Sequence, residues 1–355
     1  MVMRLALAIF TAALGLVLLF PLVVLGVPFV LIAWLTRGIA RAVEPPVVRW
    51  PQIFEFDTLL GWRAKNNLDC HVLEDRGDVF HVVTDRYGWA GNRTIDDSQM
   101  IVIGDSHAWG YGTDHKHTFG QLAGDVSIKA VGVPGYNLVQ ELLLMEQLAP
   151  QLKSKLVVWF VYVGNDLTDN LSPEAGQYRL PFVRQVGEHG SWEIVTRHLS
   201  PDKWRASDAV KFRRYYAVLP ALHSDTFLAK RAYAACDYIL ARGAKVCTEA
   251  GAKLVVLSIP SPEAMRPDEM AKLSAARGFT RPVDLNLPDR KLRESCARHA
   301  ISFVPLKDLL ESRHFQDRDD HWTEEGHRRV ADLLQNIYQE HRIAPPKSVR
   351  SNGNR

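Results

Sequence analysis

Cysteine is scarce in these 355 residues: Cys70, Cys236, Cys247 and Cys296 are the four present, far apart and with no CxxC. That pattern fits neither a zinc site nor a disulfide framework, and buried thiols acting as small apolar groups are expected instead. An excess of charge of one sign is also missing. The 43 basic and 40 acidic side chains leave a net charge of +3, too little for the broad cationic field that nucleic-acid binding draws on. With 47% hydrophobic and 23% charged residues, disorder and collagen-like or low-complexity architectures are excluded. No internal repeat is present. No GxSxG surrounds a serine, no P-loop occurs, and no GxGxxG opens a helix after a strand, which argues against an α/β-hydrolase elbow and against those nucleotide folds.

Residues 5–35 lack charge altogether, a run of 31 residues bounded by Arg4 on one side and by Arg37 and Arg41 on the other. A bilayer span takes roughly 20 apolar residues, so one membrane-spanning helix through residues 5–35 is expected. Ala40-Arg41-Ala42 has the form of a signal-peptide cleavage site, but a cleaved leader carries an apolar region of only about 7 to 15 residues. Pro21 and Pro28 are compatible with one kinked helix or a re-entrant hairpin. Orientation is in conflict. Arg37, Arg41 and Arg49 outnumber Arg4, which by the positive-inside rule leaves the C-terminal part in the cytoplasm.

The expected organisation is an anchor with flanks at 1–41, a linker at 42–53 stiffened by Glu44-Pro45-Pro46, one large domain at 54–343 and a frayed polar tail at 344–355. Short, nearly continuous apolar runs at 100–103, 128–133, 156–163, 254–259 and 301–304 read as strands covered on both faces. Helical periodicity fills 138–152, 226–250, 289–299 and 324–341. Such alternation predicts an α/β fold with a parallel sheet, whose chemistry lies in the loops beyond the C-terminal strand ends.

Four segments qualify. Gly104-Asp105-Ser106-His107 follows the first strand and precedes the glycine-rich Trp109-Gly110-Tyr111-Gly112; a serine at that corner can project its hydroxyl into a cleft beside a backbone N–H. Gly132-Val133-Pro134-Gly135-Tyr136 follows the second strand, where glycine also serves a tight turn. Gly164-Asn165-Asp166 ends the 156–163 run; Asn165 can donate to a substrate oxygen or form an ordinary turn. Asp319-Asp320-His321-Trp322 precedes the last helix, and a histidine beside a carboxylate suits a general base, while Thr323 with Glu324 and Glu325 also suits a helix start. His115-Lys116-His117 reads as a solvated loop rather than a metal site.

Taken in order, these four segments resemble the sequence blocks of the SGNH/GDSL hydrolase superfamily over about residues 54–341. Leu60-Gly61-Trp62-Arg63, Asp85-Arg86-Tyr87-Gly88-Trp89 and the Asp-x-His-Trp pattern resemble a membrane-anchored bacterial subgroup of it. The resemblance implies a three-layer α/β/α, flavodoxin-like fold and a serine esterase or O-acyltransferase needing no metal or organic cofactor. It implies Ser106 as nucleophile, His321 as base, and an oxyanion hole of the Ser106 and Gly135 N–H groups and the Asn165 side chain, with Asp105 stabilising the turn. The superfamily's usual acid position, three residues before the histidine, holds Arg318 here; the subgroup pattern points to Asp319, with Asp320 as the fallback. An acyl ester on an envelope carbohydrate is the implied substrate, and a bacterial inner-membrane protein with its catalytic domain outside the cytoplasm the implied location. A catalytically inactive binding or assembly protein of the same fold in polysaccharide biosynthesis is the alternative.

Residues 171–224 show no clear strand pattern and read as an insertion. Tyr178, Phe182, Trp192, Trp204, Phe212, Tyr215 and Tyr216 stand there among arginines and a lysine, suited to a sugar polymer or an anionic membrane, or to a small core of their own.

Overall fold

The computed structural model describes residues 45–341 apart from 51, 75–76, 176–177, 188–189, 204–220, 225 and 318. The expected span at 5–35 and the tail at 344–355 lie outside the described residues; among those described, no helix is long and apolar enough to cross a membrane. The chain divides into two units, Met1–Val47 and Val48–Arg355, and the second carries the architecture below.

Its centre is a five-stranded sheet of β1 (Met100–Gly104), β2 (Ile128–Gly132), β3 (Leu156–Tyr162), β4 (Lys253–Ile259) and β5 (Ser302–Pro305). The order is β2-β1-β3-β4-β5 and every pairing is parallel. This is the doubly wound flavodoxin-like order, which reverses direction between β1 and β3 and opens a crevice there. All residues of β1, β2 and β3 are buried, as their unbroken apolar runs require of strands covered on both faces.

Alternate residues serve opposite layers. Ile101, Ile103, Val157, Trp159 and Val161 pack with residues of α2 (Leu138–Leu148), α3 (Phe227–Ala250) and α5 (Leu287–Arg298). Met100, Val102, Val158 and Phe160 pack with Phe119 and with Val330, Leu334 and Ile337 of α6 (Glu324–His341). Between them, α1 (Ser106–Trp109) follows β1 and α4 (Pro267–Ala276) follows β4. Asn137 caps α2 with a reciprocal bond to Gln140, which stops the helix from running back into the Gly135 loop.

Two antiparallel hairpins, Phe54–Asp57 with Gly61–Ala64 and Asp69–Leu73 with Val79–Val83, precede the sheet. Within 171–224, where the sequence shows no clear strand pattern, Phe182–Val186 pairs antiparallel with Ser191–Val195, and Glu174–Ala175 with Tyr178–Arg179. The first of these strands buries only Val183, so no alternation betrays it in the sequence. Tyr178 stacks on Trp62 with ring centroids 4.6 Å apart and is core rather than groove. Trp204, Phe212, Tyr215 and Tyr216 lie outside the described residues. All four cysteines are buried and unpaired.

Candidate active site

The corner after β1 is built by Asp105. Its Oδ1 accepts the His107 backbone N–H at 2.9 Å, capping α1 so that Ser106 becomes the first helical residue. Gly110 closes the same short helix at φ 82°, its N–H bonded to the Ser106 carbonyl; that left-handed conformation is natural to glycine. At the end of β2, a Cβ on Gly132 would stand 1.8 Å from the Gly104 carbonyl oxygen. Only glycine lets the β1 and β2 loops leave the sheet side by side.

The histidine arrives from the far end of the chain. Phe315 and Trp322 form a bridge, the Gln316 N–H bonds to the His321 carbonyl at 2.9 Å, and the Gln316 amide donates to the Gly112 carbonyl at 3.2 Å. Trp322, almost fully buried, packs edge-on to the His107 ring at 5.0 Å. The tryptophan of the Asp-x-His-Trp pattern thereby pins the loop to the serine corner.

These supports bring three expected residues into one chain of hydrogen bonds. His321 Nε2 lies 2.7 Å from Ser106 Oγ, and His321 Nδ1 is bonded to Asp319 Oδ1. Asp320 Oδ1 stands farther from the same nitrogen, at 3.3 Å. Asp320 is otherwise engaged: its Oδ2 accepts the Tyr162 hydroxyl at 2.7 Å, and its carbonyl lies 3.0 Å from His107 Nε2, which must carry the proton because a carbonyl only accepts. Burial opposes charge on His321, but the Asp320 and Asp319 carboxylates and Asp105 outweigh it and lift its pKa to about 9.

Gly135 and Asn165 occupy the loops after β2 and β3, flanking the serine corner at the crevice. Gly135, at φ 86°, sits between two anchors: the Trp62 indole N–H donates to the Pro134 carbonyl at 3.3 Å, and the Tyr136 hydroxyl donates to the Trp62 carbonyl at 2.7 Å. Asp166 Oδ2 accepts the Tyr162 N–H at 2.7 Å and holds the Asn165 turn. No hydrogen bond joins Ser106 to Gly135 or Asn165 among the described residues. Asn165 is 3% exposed, and neither atom of its amide has a partner there. A buried amide left unbonded is costly, and this one follows the strand next to the nucleophile's.

Asp105, expected to stabilise the turn, and groups not singled out in the sequence, Glu141 and Tyr162 among them, surround these residues. Asp105 is buried; burial works to raise its pKa, yet the His107 ring and N–H and His321 hold it below the usual range. Burial, then repulsion from Asp105, pushes Glu141 well above the usual carboxylate range, and burial, then Glu141 and Asp105, does the same to Asp166. Glu141 accepts the Trp159 indole N–H at 2.7 Å. His327 accepts the Phe119 N–H at 3.3 Å, and burial, then His107 and His321, depress its pKa to about 3. Tyr111 lies over the His321 ring, centroids 4.5 Å apart. Tyr162 reads in sequence only as the end of an apolar strand; its place at the C-terminal strand end beside the crevice was the available signal.

For a metal, Asp319, Asp320 and His321 are the group of ligand-type atoms that converge among the described residues, but both His321 nitrogens are committed to Asp319 and Ser106. In the 115–117 loop, His117 pairs with Glu324, and no ligand cluster includes that loop among the described residues.

No protein-family model matches the chain, and no curated protein matches it. Among solved structures it is similar to TesA, at 15% identity over 68% of this chain and 98% of that one, with a TM-score of 0.39. It is similar to the psychrotrophic esterase EstA from Pseudoalteromonas sp., at 12% identity over 69% and 98%, TM-score 0.39. A GDSL-like lipase from Bacteroides thetaiotaomicron shares 13% identity over 70% and 92%, TM-score 0.36. At these scores the likenesses add no weight to the geometry.

Proposed function

We propose that this chain is an SGNH-type serine esterase that carries acyl groups on Ser106, anchored in the bacterial inner membrane by residues 5–35 and facing outward. The observation that carries the reading is the bonded chain Ser106, His321, Asp319 at the crevice where the sheet reverses direction. A hydroxyl 2.7 Å from an imidazole nitrogen can lose its proton to that nitrogen as it attacks a carbonyl. Asp319, bonded at Nδ1, orients the ring and stabilises the imidazolium that forms. The Ser106 and Gly135 N–H groups and the Asn165 amide receive the oxyanion. His321 then returns its proton to the leaving oxygen, and water or a second hydroxyl takes the acyl group from Ser106. With its pKa lifted to about 9, His321 holds its proton at neutral pH, so the rate of acylation rises with pH through that value.

The acyl acceptor and substrate proposed here rest on that anchor and on the subgroup resemblance. A catalytic domain tethered to a membrane and turned outward meets envelope carbohydrate, and acylated sugars are the esters proposed here, by hydrolysis or by transfer to a sugar hydroxyl. The test is p-nitrophenyl acetate turnover with and without acceptor glycan, alongside fluorophosphonate labelling. Labelling at Ser106, abolished in Ser106→Ala, is expected; acylated glycan would establish transfer, and release of acetate alone hydrolysis. If wild type and Ser106→Ala neither label nor differ on any ester, the chain is a binding protein of the same fold.

A further inference from the structure

His321 faces two carboxylates, and the second is held with as much structure as the first. Asp319 bonds to the ring at Nδ1 and also accepts the His321 backbone N–H at 3.2 Å, as an orienting acid should. Asp320 reaches the same nitrogen only at 3.3 Å, too far for a strong bond but close enough for strong charge attraction. Its other oxygen is fixed by the Tyr162 hydroxyl at the end of β3, and its carbonyl by His107 in α1. A side chain 42% exposed would otherwise turn to water; here the Tyr162 hydroxyl holds the carboxylate while His107 of α1 holds the backbone carbonyl of the same residue.

We propose that Asp320 is a positioning residue distinct from the triad acid: braced by Tyr162 and His107, it tunes the protonation of His321 and thereby the pH range in which Ser106 is activated. The inference rests on the esterase reading for its catalytic consequence, though not for its effect on the ring. The titratable groups around His321 are Asp319 and Asp320 on its own loop, Asp105, His107 and Tyr111 from the segment after β1, Tyr162 from β3 and His327 from α6. Asp320 is among the carboxylates favouring the charged ring, alongside Asp319 and Asp105.

The sign follows. Removing a nearby negative charge makes the ring easier to deprotonate, and one such charge is worth about one pH unit or more. In Asp320→Asn, the rise of kcat/KM with pH shifts toward neutrality by about one unit, so the variant turns over p-nitrophenyl acetate up to about tenfold faster than wild type at pH 7 and equally fast on the alkaline plateau. Tyr162→Phe lets the carboxylate swing to water and moves the profile the same way by less. Asp319→Asn lowers the rate at every pH.

The experiment measures these profiles between pH 5 and 11, with the His321 ring followed by nitrogen-15 NMR in the same proteins. A ring titration and rate profile unmoved by Asp320→Asn overturn the proposal, as does loss at every pH matching Asp319→Asn. A shifted ring titration in a protein that turns over no ester supports the tuning and rejects the esterase reading. Should Asp320→Asn fail to fold, Tyr162→Phe decides by the same two readouts, an unmoved ring titration overturning the proposal.

Discussion

Asn165→Ala separates an oxyanion donor from a structural asparagine because the two roles predict opposite effects on stability. A buried amide that anchors a turn makes hydrogen bonds, and losing it costs about 1–3 kcal/mol. Asn165 is 3% exposed, yet its Nδ2 and Oδ1 have no partner among the described residues; the turn is held by Asp166 and the Tyr162 N–H instead. Truncation therefore removes an unsatisfied polar group at the expense of a small void, and these terms oppose each other at about 1 kcal/mol each. The melting temperature is expected within about 4 °C of wild type or above it, since 1 kcal/mol corresponds to roughly 2–4 °C in a domain of this size. Catalysis behaves otherwise: one missing oxyanion donor lowers kcat by about 10²–10³, some 2.7–4 kcal/mol of barrier. The assay is kcat and KM for p-nitrophenyl acetate on the alkaline plateau, with calorimetry on the same samples. KM should change little, because the donor acts on charge that develops after binding. A kcat within threefold of wild type refutes the role; so does a kcat loss accompanied by a fall of 8 °C or more, by our reckoning of about 2–4 °C per kcal/mol.

Further outcomes follow from the same geometry. Asp319→Asn preserves the shape of the site but disrupts the orientation of His321, and a loss of about 10³–10⁴ in kcat is expected at unchanged melting temperature; a loss below tenfold would pass the orienting role to Asp320. Glu141, buried and with its pKa raised by burial and then by Asp105, gives up its proton at a higher pH in the fold than in the unfolded chain, where it ionises at about pH 4.3. Its cost to stability begins above that unfolded value and grows as pH rises toward the folded pKa. Glu141→Gln, neutral at every pH, should melt higher than wild type at pH 8 and equal to it near pH 4; melting curves across that range check it. For the anchor, alkaline phosphatase fused after Arg355 should be active in bacteria, and an active cytoplasmic reporter at that site would instead place the domain inside.

The sheet was legible because its strands are buried on both faces. Runs such as Leu156–Tyr162 are apolar without interruption, and the lengths of β1, β2 and β3 differ from the expected ones by no more than a residue. The helices at 226–250 and 324–341 showed themselves by amphipathic spacing, since each buries one stripe. What stayed hidden is what sits at the surface or pairs locally. Phe182–Val186 exposes most of its length, so nothing in it alternates, and α4 (Pro267–Ala276) buries only Met270 and Ser274, too little to print a period on the sequence.

At the site the division is different, and it turns on the range of the interaction. Ser106 and Asn165 follow apolar strands and His321 precedes the last helix, and it is the four segments taken in order that make them stand out. The Asp-x-His-Trp pattern points to Asp319 as the acid, but what engages Asp320 comes from Tyr162 and His107, 158 and 213 residues away. The same holds for Glu141 and Asp166, whose upward shifts arise only when the loops after β1 and β3 and helix α2 are packed into one interior. A motif thus carries the identity of the groups that react, while their protonation is decided by charges that only the fold assembles. For this chain the consequence is concrete: the serine and histidine could be named from the sequence, but the alkaline pH range expected for their chemistry follows only from the carboxylates that the fold gathers around His321.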